Sequence, residues 1–461
     1  MPSTHTGPVT ALARWLNAPD SAINLAVLRI VLFAVLGYEA IALHPVWFAS
    51  LPRELLWPPA GGAWLTWPAL LNPATARAAQ VVMVLACVAA VLGVRTRTAC
   101  LVATLTGLYL LSVPELWGKV NHYMHLLWLA ALLSVSPCGD ALAWDVRGQP
   151  LPERDARYGR PLHYAWIILG LVYFFPGLWK LSLGVGSSAW WAGDNLKWHM
   201  YRKWVETGHV IPRFRIDQWP LVYQLGGLAT VCFEIGFLPL VCWRRTRVAT
   251  ALAGVGFHVG CAITMLIWFW ILPVLYVMFI DWEGWARRWG WAPRTAAVVH
   301  RRSHLLPLVA TSLLLTVSIA GLTGTESWPV AAYPTFAFRP AQERATIDLR
   351  LVRDGTEASL SPRTAAVLRD RLGSARWVGM LDRIGRVQDD NVRRRVASGV
   401  VKLLGRTDSA VASADSMRLY RTTVALDPTR WSESHPVQRL LTVPVHSNVS
   451  QLKRTQSSAT R

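Results

Sequence analysis

A lysine closes an otherwise apolar, membrane-length stretch: residues 163–184 end in Tyr173-Phe-Phe-Pro-Gly-Leu-Trp-Lys180-Leu. An ammonium costs roughly 2.5–3.5 kcal/mol at a membrane helix centre on insertion scales, and less near an interface. Such a group either does chemistry, as a base that a partly apolar setting helps to keep neutral, or it snorkels and leaves its charge among headgroups. Two more ionisable groups, Glu234 and His258, sit deeper in apolar runs. They have several uses open: pairing with each other, lining a polar pocket, relaying protons, or merely forming a hydrogen bond between buried helices. Arg29 and Glu39 are ten residues apart in the first apolar run. That separation is about 15 Å along a helix, too far for a direct pair. Arg29, near the inner surface, reads as structural.

The elements that position these groups must be membrane helices. The chain is 53% hydrophobic and 16% charged, too little charge to cover a soluble protein of 461 residues. Its 25 tryptophans suit the membrane–water boundary. The formal charge of +20 lies largely in short loops between apolar runs, where it orients the protein in a bilayer and does not call for nucleic acid. The six cysteines fall in or beside apolar segments without metal-ligand spacing, so neither disulfides nor a metal site is expected. The N-terminus has no signal-peptide pattern. Residues 9–16, with Arg14 and Trp15, read as a short interfacial helix within an N-terminal segment of 1–22.

Apolar runs of spanning length occur near 23–45, 77–94, 98–114, 122–137, 163–184, 219–242 and 303–324. A further run, 248–280, would be about 50 Å long as one straight helix, against a hydrocarbon core of about 30 Å. Reading it as a hairpin places the arginines at 95–97, 147–160, 244–247 and 287–302 all in the cytoplasm. The expectation is therefore an all-α polytopic membrane bundle of about nine transmembrane helices over 23–324, in the cell (inner) membrane. Its N-terminus is cytoplasmic. A small α+β extracytoplasmic C-terminal appendage follows over 325–445, then a disordered tail over 446–461.

Two outer regions stand out. The loop 184–220 mixes Trp190, Trp191, Trp198, Trp204 and Trp219 with Lys197, Arg202, Lys203, Arg213 and Arg215, which suggests a structured amphipathic segment at the outer surface. In the appendage, alternation from Thr346 to Leu351 ahead of Arg353-Asp-Gly355 predicts a strand and hairpin. Val392, Val396, Val400 and Leu403 predict a helix, and 416–426 a second strand. The apolar strand face needs a cover, for which the outer loop is the expected candidate.

Several segments, taken in order, resemble the horizontally transferred transmembrane (HTTM) family, which includes vitamin K-dependent gamma-glutamyl carboxylase. They are Leu28-Arg29-Ile30, Trp117-Gly-Lys-Val-Asn121-His122-Tyr123, Trp144-Asp145, Tyr173 through Gly177-Leu-Trp-Lys180-Leu181, Trp191-Ala-Gly193, Phe233-Glu234 and Phe257-His258. The resemblance covers roughly 10–325. It implies a reduced, vitamin K-like quinone that Lys180 deprotonates, with oxygen and carbon dioxide as co-substrates. It also implies proton abstraction from a secreted peptide or protein, and no metal. His122 would stabilise charged intermediates. Asn121, Tyr173, Glu234 and His258 would line the quinone site. The topology places Lys180 and His122 near the same, outer, leaflet. The chain departs from the carboxylase in having Pro176 before the glycine, Trp179 beside the lysine and a much smaller appendage. A non-enzymatic maturation or assembly factor for a secreted partner, and a transporter, are the alternatives. Under the enzyme reading Lys180→Ala should remove a base and leave folding intact.

Overall fold

The computed structural model describes residues 7–118, 123–184, 189–291, 293–297, 304–331, 335–433 and 437–445. Local caps decide where the apolar runs become helices. Pro8 opens α1 (Pro8–Leu16), where a missing N–H does no harm. The Ser21 side chain accepts from Ile23 N to cap α2 (Ala22–Ala42), which continues into α3 (Pro45–Phe48). Asn72 caps α4 (Pro73–Leu92), which Gly93 ends in a left-handed conformation. Next come α5 (Thr96–Leu110), α6 (Met124–Ser134), and α7 (Ala156–Ser182), capped by Asp155. The loop predicted to be amphipathic does contain a helix, α8 (Asn195–Glu206), ahead of α9 (Pro220–Cys242) and α10 (Arg247–Met265). Short helices α11 (Ile271–Leu275) and α12 (Trp282–Arg288) lead to α13 (Leu305–Thr323). Two-residue strands β1 (Leu151–Pro152) and β2 (Thr295–Ala296) pair in parallel.

Seven helices among the described residues are long and apolar enough to cross a bilayer: Ala22–Phe48, Pro73–Leu92, Thr96–Leu116, Ala156–Ser182, Pro220–Cys242, Arg247–Met265 and Leu305–Thr323. The chain is thus a multi-pass integral membrane protein. Two of the nine expected spans are not spanning-length helices. The run 122–137 holds only the 11-residue α6, whose side chains from Met124 to Ala130 are all buried. The run 248–280 does reverse, at left-handed Leu266, but it returns as irregular chain, α11 and a 3-10 turn at Tyr276–Phe279. A Cβ at Gly254 would lie 2.6 Å from the Tyr276 hydroxyl, so the return runs against α10. Leu272, Leu275, Tyr276 and Phe279 are buried. Pro273 and the short length preclude a regular span there, and backbone of this kind survives in a membrane only when enclosed by protein.

The loops gather at two ends. At one, Arg29 donates to the Cys138 and Leu142 carbonyls at 2.9 and 2.6 Å, so its role is structural. There too Asp145 accepts from Arg95 N and Thr96 N, and Arg154 reaches Glu283 at 3.2 Å. At the other end Trp57 N donates to Leu116 O, Trp128 Nε1 to Pro329 O, and Trp204 Nε1 to Thr264 O. The C-terminal α+β unit packs on this second end, where Arg383 donates to Leu56 O at 2.9 Å and Lys402 pairs with Glu54.

That unit contains β3 (Glu343–Arg353), β4 (Thr356–Ser359), α14 (Pro362–Leu372), α15 (Ser374–Arg386), α16 (Asp390–Thr407), α17 (Ser409–Ala412), β5 (Ser416–Ala425) and β6 (Val437–Pro444). The sheet is antiparallel, in the order β4-β3-β5-β6. Asp354 and Gly355 both take positive φ, which matches the expected tight hairpin between β3 and β4. The predicted strands and the helix around 392–403 are present. The cover of the sheet differs from expectation. Ile347, Leu349, Met417 and Leu419 are buried in one cluster with Trp377, Met380 and Ile384 of α15 and with Val396, Val400 and Leu404 of α16. The unit's own helices α15 and α16 do the covering, in place of the outer loop. Residues 446–461 lie outside the described residues, as do Asn121 and His122.

Candidate functional site

The site is built where α7 and α9 touch. Gly170 and Gly177 stand seven residues apart, two turns, on one face of α7. A Cβ at Gly177 would sit 2.8 Å from Ile235 Cγ1 and 2.9 Å from Glu234 Cβ, and one at Gly170 would sit 3.1 Å from Leu238 Cα. The two helices therefore approach closely because these residues lack side chains. One turn beyond Gly177 the contact places Lys180 Nζ 2.7 Å from each carboxylate oxygen of Glu234. Lys180 is 1% exposed and Glu234 6%. The lysine does not snorkel. Glu234 pairs with it and not with His258.

His258, on α10, instead joins Tyr173. The Tyr173 hydroxyl lies 2.7 Å from His258 Nε2 and 2.5 Å from the Tyr276 hydroxyl. Tyr276 comes from the returning segment, so four separate stretches of chain meet here. One consistent assignment has Tyr276 donating to Tyr173 and Tyr173 donating to Nε2, leaving the proton of the neutral ring on Nδ1.

Lys180, Glu234, Tyr173 and His258 all line a single cavity of about 90 Å³, with Trp190, Phe257 and Phe269 among its apolar walls. Lys180 Nζ lies 5.3 Å from the centre of the Trp190 ring, a cation–π distance. The structure thus brings together four of the six residues singled out in sequence; Asn121 and His122 fall outside the described residues. It adds groups that were not singled out: Tyr276 next to Tyr173, and Trp190, Cys261, His125 and His199 in the cavity wall. His199 carried a usable signal, since with Lys203 it sits at i, i+4 in a loop already marked as amphipathic. Tyr276 carried none, buried as it was in a long apolar run.

His199 lies outside the spanning helices. Its Nε2 donates to Phe338 O at 3.0 Å. Burial first, with nearby Lys180 and Arg202 adding to it, holds the imidazole down to about 3, so the ring is neutral. Nδ1 of His199 and Nδ1 of His258 are buried and have no hydrogen-bond partner among the described residues. Two unsatisfied imidazole nitrogens beside one apolar cavity are costly unless a polar ligand or water meets them.

Above the cavity, a larger cleft of about 860 Å³ separates the C-terminal unit from the bundle. Phe269, Thr335 and Phe336 belong to both walls, so the cleft adjoins the cavity. Glu206 in the cleft is buried yet held down to about 2. Burial opposes that shift, and Lys203, Arg202 and Arg344 overcome it. Lys203 approaches to 2.6 Å and Arg344 to 3.0 Å.

In chemical terms the cavity has a proton donor–acceptor pair at Lys180 and Glu234, a hydroxyl–imidazole chain beside it, and apolar walls. Among the described residues no group of histidine, cysteine and carboxylate side chains could hold a metal ion. The fold and site define a multi-pass membrane protein with a buried ion pair in an apolar cavity. No family model matches the chain, and no curated protein or solved structure is significantly similar to it.

Proposed function

We propose that this protein is a membrane enzyme of the HTTM type in which Lys180 acts as a base toward a lipid-soluble weak acid. The observation that carries the reading is the burial of Lys180 between Glu234 and an apolar cavity. A structural anchor would place its charge among headgroups, and this one is held where a charge is expensive. Across a 2.7 Å hydrogen bond the proton can pass from Nζ to Glu234, leaving two neutral groups in place of two buried charges. The neutral amine is then free to accept a proton from a ligand hydroxyl. Apolar walls keep out water that would quench a stronger base.

The resemblance names a reduced quinone as that ligand, with oxygen and carbon dioxide as co-substrates. The lining chemistry fits: apolar rings for the body, and the unpaired Nδ1 atoms of His199 and His258 for the oxygens. A bound quinol would supply a weakly acidic hydroxyl. The volume is short, because about 90 Å³ holds only a few waters, at about 30 Å³ each. Binding therefore requires the walls to part.

The proposed setting is the cell (inner) membrane, crossed nine times, with the short α6 and the return 266–280 as two of the crossings. The arginine-rich loops at one end of the bundle support a cytoplasmic N-terminus and an extracytoplasmic C-terminal unit. A reporter fused after Gly324 should be active only outside the cytoplasm, and cytoplasmic activity would invert this arrangement. The assembly-factor alternative is favoured by one feature, the large cleft beneath the C-terminal unit.

Two measurements test the base. Lipid extracted from the purified protein should contain a quinone by mass spectrometry. A reduced short-chain naphthoquinone should be consumed in air by wild type and not by Lys180→Arg, because a guanidinium keeps its proton at accessible pH. Equal rates in the two proteins would end the base reading.

A further inference from the structure

A second hollow opens at the end of the bundle that carries the C-terminal unit. His44 takes a left-handed conformation, which ends α2 and turns the chain into α3, with Pro45 at its first position. This short helix meets the start of α4. Between them lies a pocket of about 430 Å³ whose lining includes Ile41, His44, Trp47, Arg77 and Gln80. It shares no lining residue with the Lys180 cavity or with the cleft.

Arg77 stands in the second turn of the spanning helix α4, about 6 Å along the axis from its start, and is exposed. Val81, Leu85, Val88 and Leu92 follow it at helical spacing, so all five share one face of α4. Those four apolar side chains are exposed, and on a spanning helix that exposure is to acyl chains. Arg77 thus heads a lipid-facing stripe. Among the described residues it has no hydrogen bond, ion pair or ring contact. A guanidinium at the margin of hydrocarbon needs compensation, and its stem reaches the headgroup layer. The cation also lies at the end opposite the arginine-rich loops, so the positive-inside trend does not account for it.

The surroundings favour an anion. Among the described residues no carboxylate lines the pocket. Arg371 of α14 holds its guanidinium 5.9 Å from the centre of the Trp47 ring and has no carboxylate partner among the described residues. Arg406 is already engaged, donating to Ser50 O at 2.7 Å, and so holds α16 against the rim. A guanidinium presents a planar fork that matches two phosphate oxygens. The indole of Trp47 suits the headgroup level beside it.

We propose that the hollow at Arg77 holds the phosphate of an anionic phospholipid, with an acyl chain lying along Val81, Leu85 and Val88. Arg77 bonds the phosphate, and Arg371 adds attraction from the C-terminal unit, so the bound lipid ties that unit to α4. A soluble phosphate ester lacks the acyl chain and leaves the apolar part of the site empty. Lys180 and its chemistry play no part in this binding.

The test places the full chain in nanodiscs containing phosphatidylglycerol with a photoactivatable diazirine on its headgroup, and maps the adducts by tryptic mass spectrometry. Illumination should label residues 41–50 and 73–80 of wild type. Arg77→Gln, at an exposed position that should fold as wild type does, should lower that labelling about tenfold as a charge-assisted hydrogen bond is lost. Arg77→Lys, which keeps the charge, should retain most of it, and Lys180→Arg should label as wild type. Unlabelled phosphatidylglycerol should compete, and phosphatidylcholine and inorganic phosphate should compete far less. Labelling that persists in Arg77→Gln, that spreads evenly over both ends of the bundle, or that inorganic phosphate or phosphatidylcholine suppresses as well as phosphatidylglycerol does, would overturn the proposal.

Discussion

Replacing Lys180 with methionine tests how the buried pair is held together. The side chain stays unbranched, one atom shorter, and loses its charge, and Glu234 stays 6% exposed with both oxygens stripped of a partner now 2.7 Å away. At that distance the direct attraction is about 6 kcal/mol for an effective dielectric of about 20. Desolvating the two ions costs several kcal/mol each, so the intact pair is close to neutral for stability. Removing one partner loses the attraction and keeps part of the cost, about 3–5 kcal/mol in all. Lys180→Met should therefore melt several degrees below wild type, and Glu234→Leu should do the same. The double variant should recover most of that loss, because two apolar side chains replace two compensated charges. A thiol-reactive dye reads this as the rise above the labelling of exposed Cys232, since Cys87, Cys100 and Cys138 are buried and free. A single variant that melts with wild type, or a double variant as unstable as the singles, would refute the account of a compensated ion pair. The sequence-based expectation that Lys180 can be truncated without loss of stability is reversed by Glu234, because truncation strands a carboxylate. Arginine, which keeps the charge, is the cleaner probe of chemistry.

Gly177→Ala should cost about 1–3 kcal/mol by overpacking and lengthen the Lys180–Glu234 contact, since the new Cβ would lie 2.8–3.1 Å from Glu234 and Ile235 atoms; a melt and turnover equal to wild type would show that α7 and α9 have slack. His199 should stay neutral at pH 5, where an ordinary imidazole with a pKa near 6.5 is charged, because burial holds it to about 3. A folded-state value below the unfolded one means that its contribution is present above about 6.5 and is lost as pH falls toward 3; an NMR titration of labelled histidine with every ring protonating near 6.5 would contradict this.

Much of the bundle was legible because its causes are local. A spanning helix needs a long apolar run, and six of the expected runs became such helices close to their limits, while the first part of a further run, 248–280, became α10. The two exceptions, α6 and the return after Leu266, have the same cause. Most of α6 and of residues 271–279 is enclosed by neighbouring helices, so neither had to satisfy the length that lipid imposes. Composition shows that a segment is apolar, and it does not show whether lipid or protein surrounds it. The C-terminal strands were legible for a similar local reason, the alternation around Ile347 and the Asp354–Gly355 turn. Helices α14 and α15 were not, since Leu368, Leu372, Trp377 and Ile384 are spaced among arginines that mask the apolar stripe.

The site divides along the same line. Lys180, Glu234 and His258 were visible as polar groups in apolar runs, where each must find a partner or a function. Which partner each finds is a matter of packing between helices, and for that the informative residues are the ones without side chains. Gly170 and Gly177 mark the face of α7 that meets α9. Lys180 follows Gly177 on the lattice of a helix surface, and Glu234 lies opposite. That small-residue face marks where α7 meets a close neighbour, which puts Lys180 opposite Glu234 and leaves His258 for Tyr173. The place of Tyr276 depends on a chain reversal at Leu266 that neither periodicity nor composition encodes.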